Sequence, residues 1–147
     1  MQYQRLQSQT DYSASRQTIL VVDDHVDLRD AIALLLEGEG YDIVDAADGH
    51  QALKFLRSGV NVAAIVLDLA MPIMDGWQFL AERKRDPVLG SIPTIVVTGA
   101  SDTTKRQTEL ENLPVFPKPF HFDDLFAVLR QALDTGKQQK KPTVLRS

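Results

Sequence analysis

The chain has 147 residues, 44% of them apolar, which fits a single domain with one core, and its lack of cysteine excludes disulfides and suits a reducing compartment. The net charge of −4 hides a strongly acidic body: residues 18–135 hold 10 basic and 19 acidic side chains, a poor surface for non-specific nucleic-acid binding. No stretch approaches the length of a membrane span, so a cytoplasmic protein is expected.

Residues 1–17 are polar, carry five glutamines and lack the apolar centre of a secretion signal, so they read as a flexible N-terminal extension. From Thr18 onward, apolar runs alternate with amphipathic stretches, the pattern of βα units and a parallel sheet. Thr18–Val22 is the first predicted strand. A helix follows, with Leu28, Ala31, Ile32, Leu35 and Leu36 on one face, and Gly38 and Gly40 stop it. Tyr41–Ala46 is the second strand and His50–Ser58 the second helix, with Ala52, Leu53 and Leu56 inward. Val62–Leu67 is the third strand. The third helix starts near Gly76, buries Trp77, Leu80 and Ala81, and ends at Pro87. Ile92–Val97 is the fourth strand. The next helix, Asp102–Glu111, has Leu110 as its only apolar residue, so it has almost no face to bury and should be marginal. Val115–Phe116 is a short strand between Pro114 and Pro117, tolerable only at a sheet edge. The last helix, Asp123–Leu133, turns Leu125, Val128, Leu129, Ala132 and Leu133 inward and is expected to be capped by Gly136. Residues 136–147 carry Lys137, Lys140, Lys141 and Arg146 and read as a basic flexible tail. The domain proper is therefore 18–135, a doubly wound α/β sandwich of five strands and five helices.

Polar residues close these strands. Asp23 and Asp24 follow the first, Asp68 the third, Thr98 the fourth and Lys118 the fifth. In a parallel sheet they gather at one edge, where open α/β folds bind ligands. Three acids, a hydroxyl and a lysine around Mg2+ would make a device for taking and holding a phosphoryl group. Each member has a plainer reading alone: a helix cap for Asp23 and Asp24, a turn residue for Asp68, a strand-end hydroxyl for Thr98, a solvated cation for Lys118. The ordered set is far more specific than any member. His25, His50 and His121 lie outside it and read as surface or packing residues, and Trp77 reads as core.

At these residues the chain resembles the receiver domain of two-component response regulators, from about Thr18 to Leu133. The matching pieces are Asp23-Asp24, the Asp68 loop with Met71-Pro72 and Asp75-Gly76, Thr98-Gly99-Ala100, and Lys118-Pro119-Phe120. The resemblance implies a flavodoxin-like parallel sheet of strand order 2-1-3-4-5. It implies that Asp68 is the phosphoacceptor, which would form an acyl phosphate. A divalent cation would offset the charge of anion meeting anion. Asp24 and Asp68 would bind Mg2+ directly, Asp23 through a water, and the Ala70 backbone carbonyl would be a further ligand. Lys118 would pair with Asp68 and then with a phosphoryl oxygen. Thr98 would donate its hydroxyl to another, Gly99 would leave room for the incoming group, and the Lys118-Pro119 bond would be cis. The implied partners are a sensor histidine kinase or a histidine phosphotransfer protein, and a downstream protein. No direct nucleic-acid or membrane contact is implied, and a phosphorylation-dependent homodimer is admitted. The chain would catalyse only its own phosphotransfer and dephosphorylation.

The sequence departs from the family in two places. The aromatic often found three residues before the lysine is Val115 here, and the neighbouring Phe116 should face the other way. The segment from Thr98 to Lys118 is about two residues short. Activation is therefore expected to work through order and disorder of the weak helix 102–111 rather than an aromatic rotamer. Ala70 and Ala100 cannot position an attacking water, so neither should speed hydrolysis. A degenerate receiver serving as a phosphorylation-independent interaction module is the main alternative, and the intact set argues against it. A haloacid-dehalogenase-type phosphatase would need an acid at Ala70. The glycine fingerprints of dinucleotide and P-loop sites are missing.

Overall fold

In a computed structural model, residues 16–99, 110 and 112–140 are described. β1 (Thr18–Val22) lies between β2 (Asp42–Ala46) and β3 (Ala64–Leu67), and β4 (Thr94–Thr98) and β5 (Val115–Pro117) complete a parallel sheet of order β2-β1-β3-β4-β5. The helices are α1 (Val26–Gly38), α2 (Gly49–Arg57), α3 (Gly76–Arg85), the one-turn α4 (Pro87–Gly90) and α5 (Phe122–Lys140). None of the described helices is long and apolar enough to cross a membrane.

The continuous apolar runs of β1, β3 and β4 are explained by burial on both faces, as parallel strands require. Side chains alternate along each strand, so two cores form. Leu20, Val22, Ile65, Leu67 and Val96 meet α2, α3, Leu89 and Leu110 on one face; Ile19, Val21, Val66, Ile95 and Val97 meet α1 and α5 on the other. Val115 packs towards the first core and Phe116 towards the second, as the alternation predicts. Trp77 is buried, and the Lys118-Pro119 bond is cis.

Several sequence expectations need correction. Leu35 is 41% exposed, because the packed row of α1 is Leu28, Ile32 and Leu36 and Leu35 sits on its rim. Ala81 is exposed, and Phe79 is fully buried instead, on the i, i+3, i+4, i+7 row Gly76, Phe79, Leu80, Arg83. The chain stops α3 at Arg85, and Pro87 opens α4 rather than merely ending a helix, as suits proline in a first turn. Gly136 does not cap the last helix, which runs on to Lys140. One glycine costs a helix only about 1 kcal/mol, and the lysines and glutamines beyond it are good helix formers. Of the predicted helix 102–111 only Leu110 is described; it is helical and buried, and the rest lies outside the described residues.

Short-range chemistry sets the loops beside the sheet's C-terminal edge. Asp48 and Asp75 cap α2 and α3, each accepting from a backbone N–H three residues on, and Gln78 completes a capping box with Asp75. Between Asp68 and that cap the loop bends at Ile73, which has φ +66 and is 80% exposed. A β-branched residue there carries strain of about 1–3 kcal/mol and buries little in return. Ile73→Gly is expected to raise stability by about 1 kcal/mol, net of glycine's entropy cost. The check is a higher urea midpoint at unchanged slope.

Candidate functional site

The sheet ladder carries the polar residues to one edge. The Asp23 N–H donates to the Ala46 carbonyl at 3.1 Å, the Asp68 N–H to Val22 at 2.9 Å, and the Lys118 N–H to Thr98 at 2.9 Å. Asp23 and Asp68 therefore stand one residue past β1 and β3, Lys118 one past β5, and Thr98 is the last residue of β4.

Asp23 and Asp68 are each 1% exposed and Thr98 is 2% exposed, whereas the Asp24 side chain is about one-third open. Lys118 Nζ lies 3.1 Å from Asp23 Oδ2 and 3.5 Å from Asp68 Oδ1, so its shorter contact is to Asp23. Asp23 Oδ1 accepts the His25 backbone N–H at 2.8 Å, and the Arg29 guanidinium donates to the Asp23 carbonyl at 2.9 Å. Both Asp23 carboxylate oxygens are thus engaged. Asp24 Oδ1 and Asp68 Oδ2 are buried and have no hydrogen-bond partner among the described residues. A buried carboxylate oxygen left unpaired is costly in a finished fold. These two donors, hard oxygens on adjacent strand ends, fit a divalent cation of the Mg2+ type.

The electrostatics agree. Burial pushes the Asp68 carboxyl above the usual carboxylate range and Asp23 pushes the same way; Lys118 and the Ala70 N–H oppose them, and Asp24 adds a smaller push upward. One lysine does not balance three acids. At Gly99 an added Cβ would touch nothing within 4 Å among the described residues.

The structure also brings in a residue the sequence reading left out. His25 Nδ1 lies 3.1 Å from Asp23 Oδ1 and 3.5 Å from Asp24 Oδ1. A nitrogen of His25 and one carboxylate oxygen from each of Asp23, Asp24 and Asp68 all fall within 4.8 Å of one another. The signal was local: an aspartate side chain that accepts the N–H two residues on curls the chain back. His50 and His121 are exposed and do not belong to this group.

A family model described as the response regulator receiver domain matches residues 19–130. "Probable transcriptional regulator ycf27" of Porphyridium aerugineum is 36% identical over 121 residues, covering 80% of this chain and 48% of the relative. The alkaline phosphatase synthesis transcriptional regulatory protein SphR of Synechococcus elongatus is 34% identical over 140 residues, covering 87% of this chain and 54% of the relative. The chain thus spans about half the length of these relatives. A CheY-like response regulator receiver domain protein from Methanospirillum hungatei superposes with a TM-score of 0.77 at 25% identity, covering 85% of this chain and 99% of that one.

Proposed function

The chain belongs to the response regulator receiver domain family, and on that premise we propose that Asp68 accepts a phosphoryl group from a phosphohistidine with Mg2+ in the site. The observation that carries the reading is Asp68 Oδ2: buried, unpartnered, and set among Asp24, Asp23 and Lys118 at the sheet edge. An Asp68 oxygen attacks phosphorus, the P–O bond forms as the P–N bond to the donor imidazole breaks, and the imidazole keeps the electron pair and takes up a proton. Mg2+, when bound, offsets the negative charge of the acceptor and the phosphoryl oxygens. Asp24 and Asp68 would hold it directly with the Ala70 carbonyl, and Asp23, whose oxygens are already engaged, through a water. Lys118 exchanges its contact with Asp68 for a phosphoryl oxygen, and the Thr98 hydroxyl takes another.

The output would be a shift of the face that includes β5 and α5; the predicted helix 102–111 that would complete it lies, Leu110 apart, outside the described residues. Support comes from the Lys118 N–H to Thr98 bond, which couples any movement of Thr98 to β5. The partners would be a sensor kinase or phosphotransfer protein upstream and a protein downstream, in the cytoplasm. The transcriptional role named for the relatives belongs to chains twice as long, and direct DNA contact is not part of this reading.

The test is intact mass after incubation with Mg2+ and a small acyl-phosphate donor, beside Asp68→Asn. One phosphoryl adduct in the parent and none in the variant is expected. No adduct from a panel of phosphorylated kinases either would overturn the reading in favour of a degenerate interaction module.

A further inference from the structure

We infer that His25 is a nitrogen ligand of this cation site, so that the site accepts borderline transition dications such as Zn2+ as well as Mg2+. The inference rests on the proposed cation role of the acids and adds a ligand of a different chemical kind.

Three observations carry it. The first is position. Nδ1 of His25 faces two carboxylate oxygens at 3.1 and 3.5 Å, on a ring otherwise two-thirds exposed. An exposed histidine has the freedom to turn to water, yet this one lies against the acids. The second is rigidity. The His25 N–H bond to Asp23 Oδ1 at 2.8 Å anchors the backbone from which the ring projects, so little has to be ordered on binding. The third is the ligand spacing. Two ligands sharing a cation at bonds of about 2.0–2.2 Å can stand at most about 4.4 Å apart. A His25 nitrogen and one carboxylate oxygen each of Asp24 and Asp68 belong to a group of atoms all within 4.8 Å of one another, a few tenths of an ångström wider than such a shell.

The unpartnered atoms complete the argument. Asp68 Oδ2, on a side chain that is almost wholly buried, and Asp24 Oδ1 are the oxygens left open, and Asp23 is taken up by Lys118 and the His25 N–H. The set offered is therefore two oxygens and one imidazole nitrogen. An all-oxygen site suits Mg2+, which parts reluctantly with water. One imidazole moves the preference towards Zn2+ and Ni2+, for which nitrogen is a good ligand and affinity is intrinsically higher. At 3.1 Å the contact to Asp23 Oδ1 is a hydrogen bond only with the proton on Nδ1, so for Nδ1 to serve the ring moves its proton to Nε2 and the cation takes the place of that bond.

The experiment is calorimetric titration of the full chain and of His25→Ala with Mg2+ and separately with Zn2+, alongside NMR of the histidine ring nitrogens during the Zn2+ titration. The expected result is that His25→Ala loses at least the roughly tenfold Zn2+ affinity that even an outer-shell partner is worth, with Mg2+ affinity little changed. The His25 Nδ1 resonance should move on adding Zn2+ to the parent. Equal Zn2+ affinity in the two proteins, an equal loss for both ions, or an unmoved His25 resonance would overturn the inference while leaving the Mg2+ site standing. Failure of the parent to bind either ion would overturn the cation site itself.

Discussion

Gly76→Ala is expected to lower stability by about 1–3 kcal/mol and to impair the phosphoryl acceptance proposed for Asp68. In an ordinary helix the same change stabilises by about 1 kcal/mol, so its sign is the point of the experiment. Gly76 is the first residue of α3 and its N–H donates to the Leu69 carbonyl at 2.9 Å. A Cβ there would press on the Asp68 carbonyl oxygen and stand 2.6 Å from Leu69 Cα. Both obstacles are backbone, and neither can swing aside as a flexible side chain would. Relief requires moving the strand end that holds Asp68, the proposed acceptor, so the fold and the site are damaged together. Gly38→Ala is the matched control, since a Cβ at that helix position meets nothing within 4 Å. Urea denaturation of both variants, with adduct yield measured on each, decides the matter. Equal stability of the two variants would show that the close approach at Gly76 costs nothing.

Gly76 also marks what was readable beforehand and what was not. The parallel sheet and the strand-end set were legible, because parallel strands buried on both faces appear as unbroken apolar runs; the strand order came from the family resemblance. A polar residue at the end of such a run has few places to go. Helix faces were less legible where the stripe was wide. Leu35 and Ala81 fit a helical period as well as their neighbours did, and only the docking angle of each helix decides which flank is covered. The helix past Gly136 was missed because glycine at a helix end and glycine within a helix look alike in sequence. His25 was missed for a different reason. Its place depends on the Asp23 side chain bonding the His25 backbone, a local hydrogen bond that competes with the regular start of a helix and leaves no periodic trace. The direction of the Lys118 ammonium, nearer Asp23 than Asp68, likewise depends on packing around a long side chain and not on its spacing in the chain.

Asp68→Asn is expected to stabilise the chelator-treated protein at neutral pH by on the order of 1–3 kcal/mol, while removing its capacity to be phosphorylated. Asparagine keeps the shape of the side chain and deletes a charge held beside Asp23 and Asp24 with Lys118 as the nearest cation. The direction with pH follows from the raised carboxyl of Asp68, shifted first by burial and next by Asp23. A folded pKa above the unfolded one means that the folded state holds the proton more tightly. The carboxyl therefore does not penalise folding at pH below its unfolded value. The penalty appears as pH rises through the raised folded value. The gap between variant and parent should accordingly be small in acid, below the ordinary carboxylate range, and open towards neutral pH. Mg2+ should close it, because a cation that binds only the folded parent at 100 times its Kd adds about 2.7 kcal/mol, and the variant has lost one of the ligands. Urea denaturation of both proteins at acid and neutral pH, in chelator and in Mg2+, measures all four corners. A variant less stable than the parent in chelator at neutral pH would mean that Lys118 already balances Asp68, and that the acceptor site is not held in strain awaiting a cation.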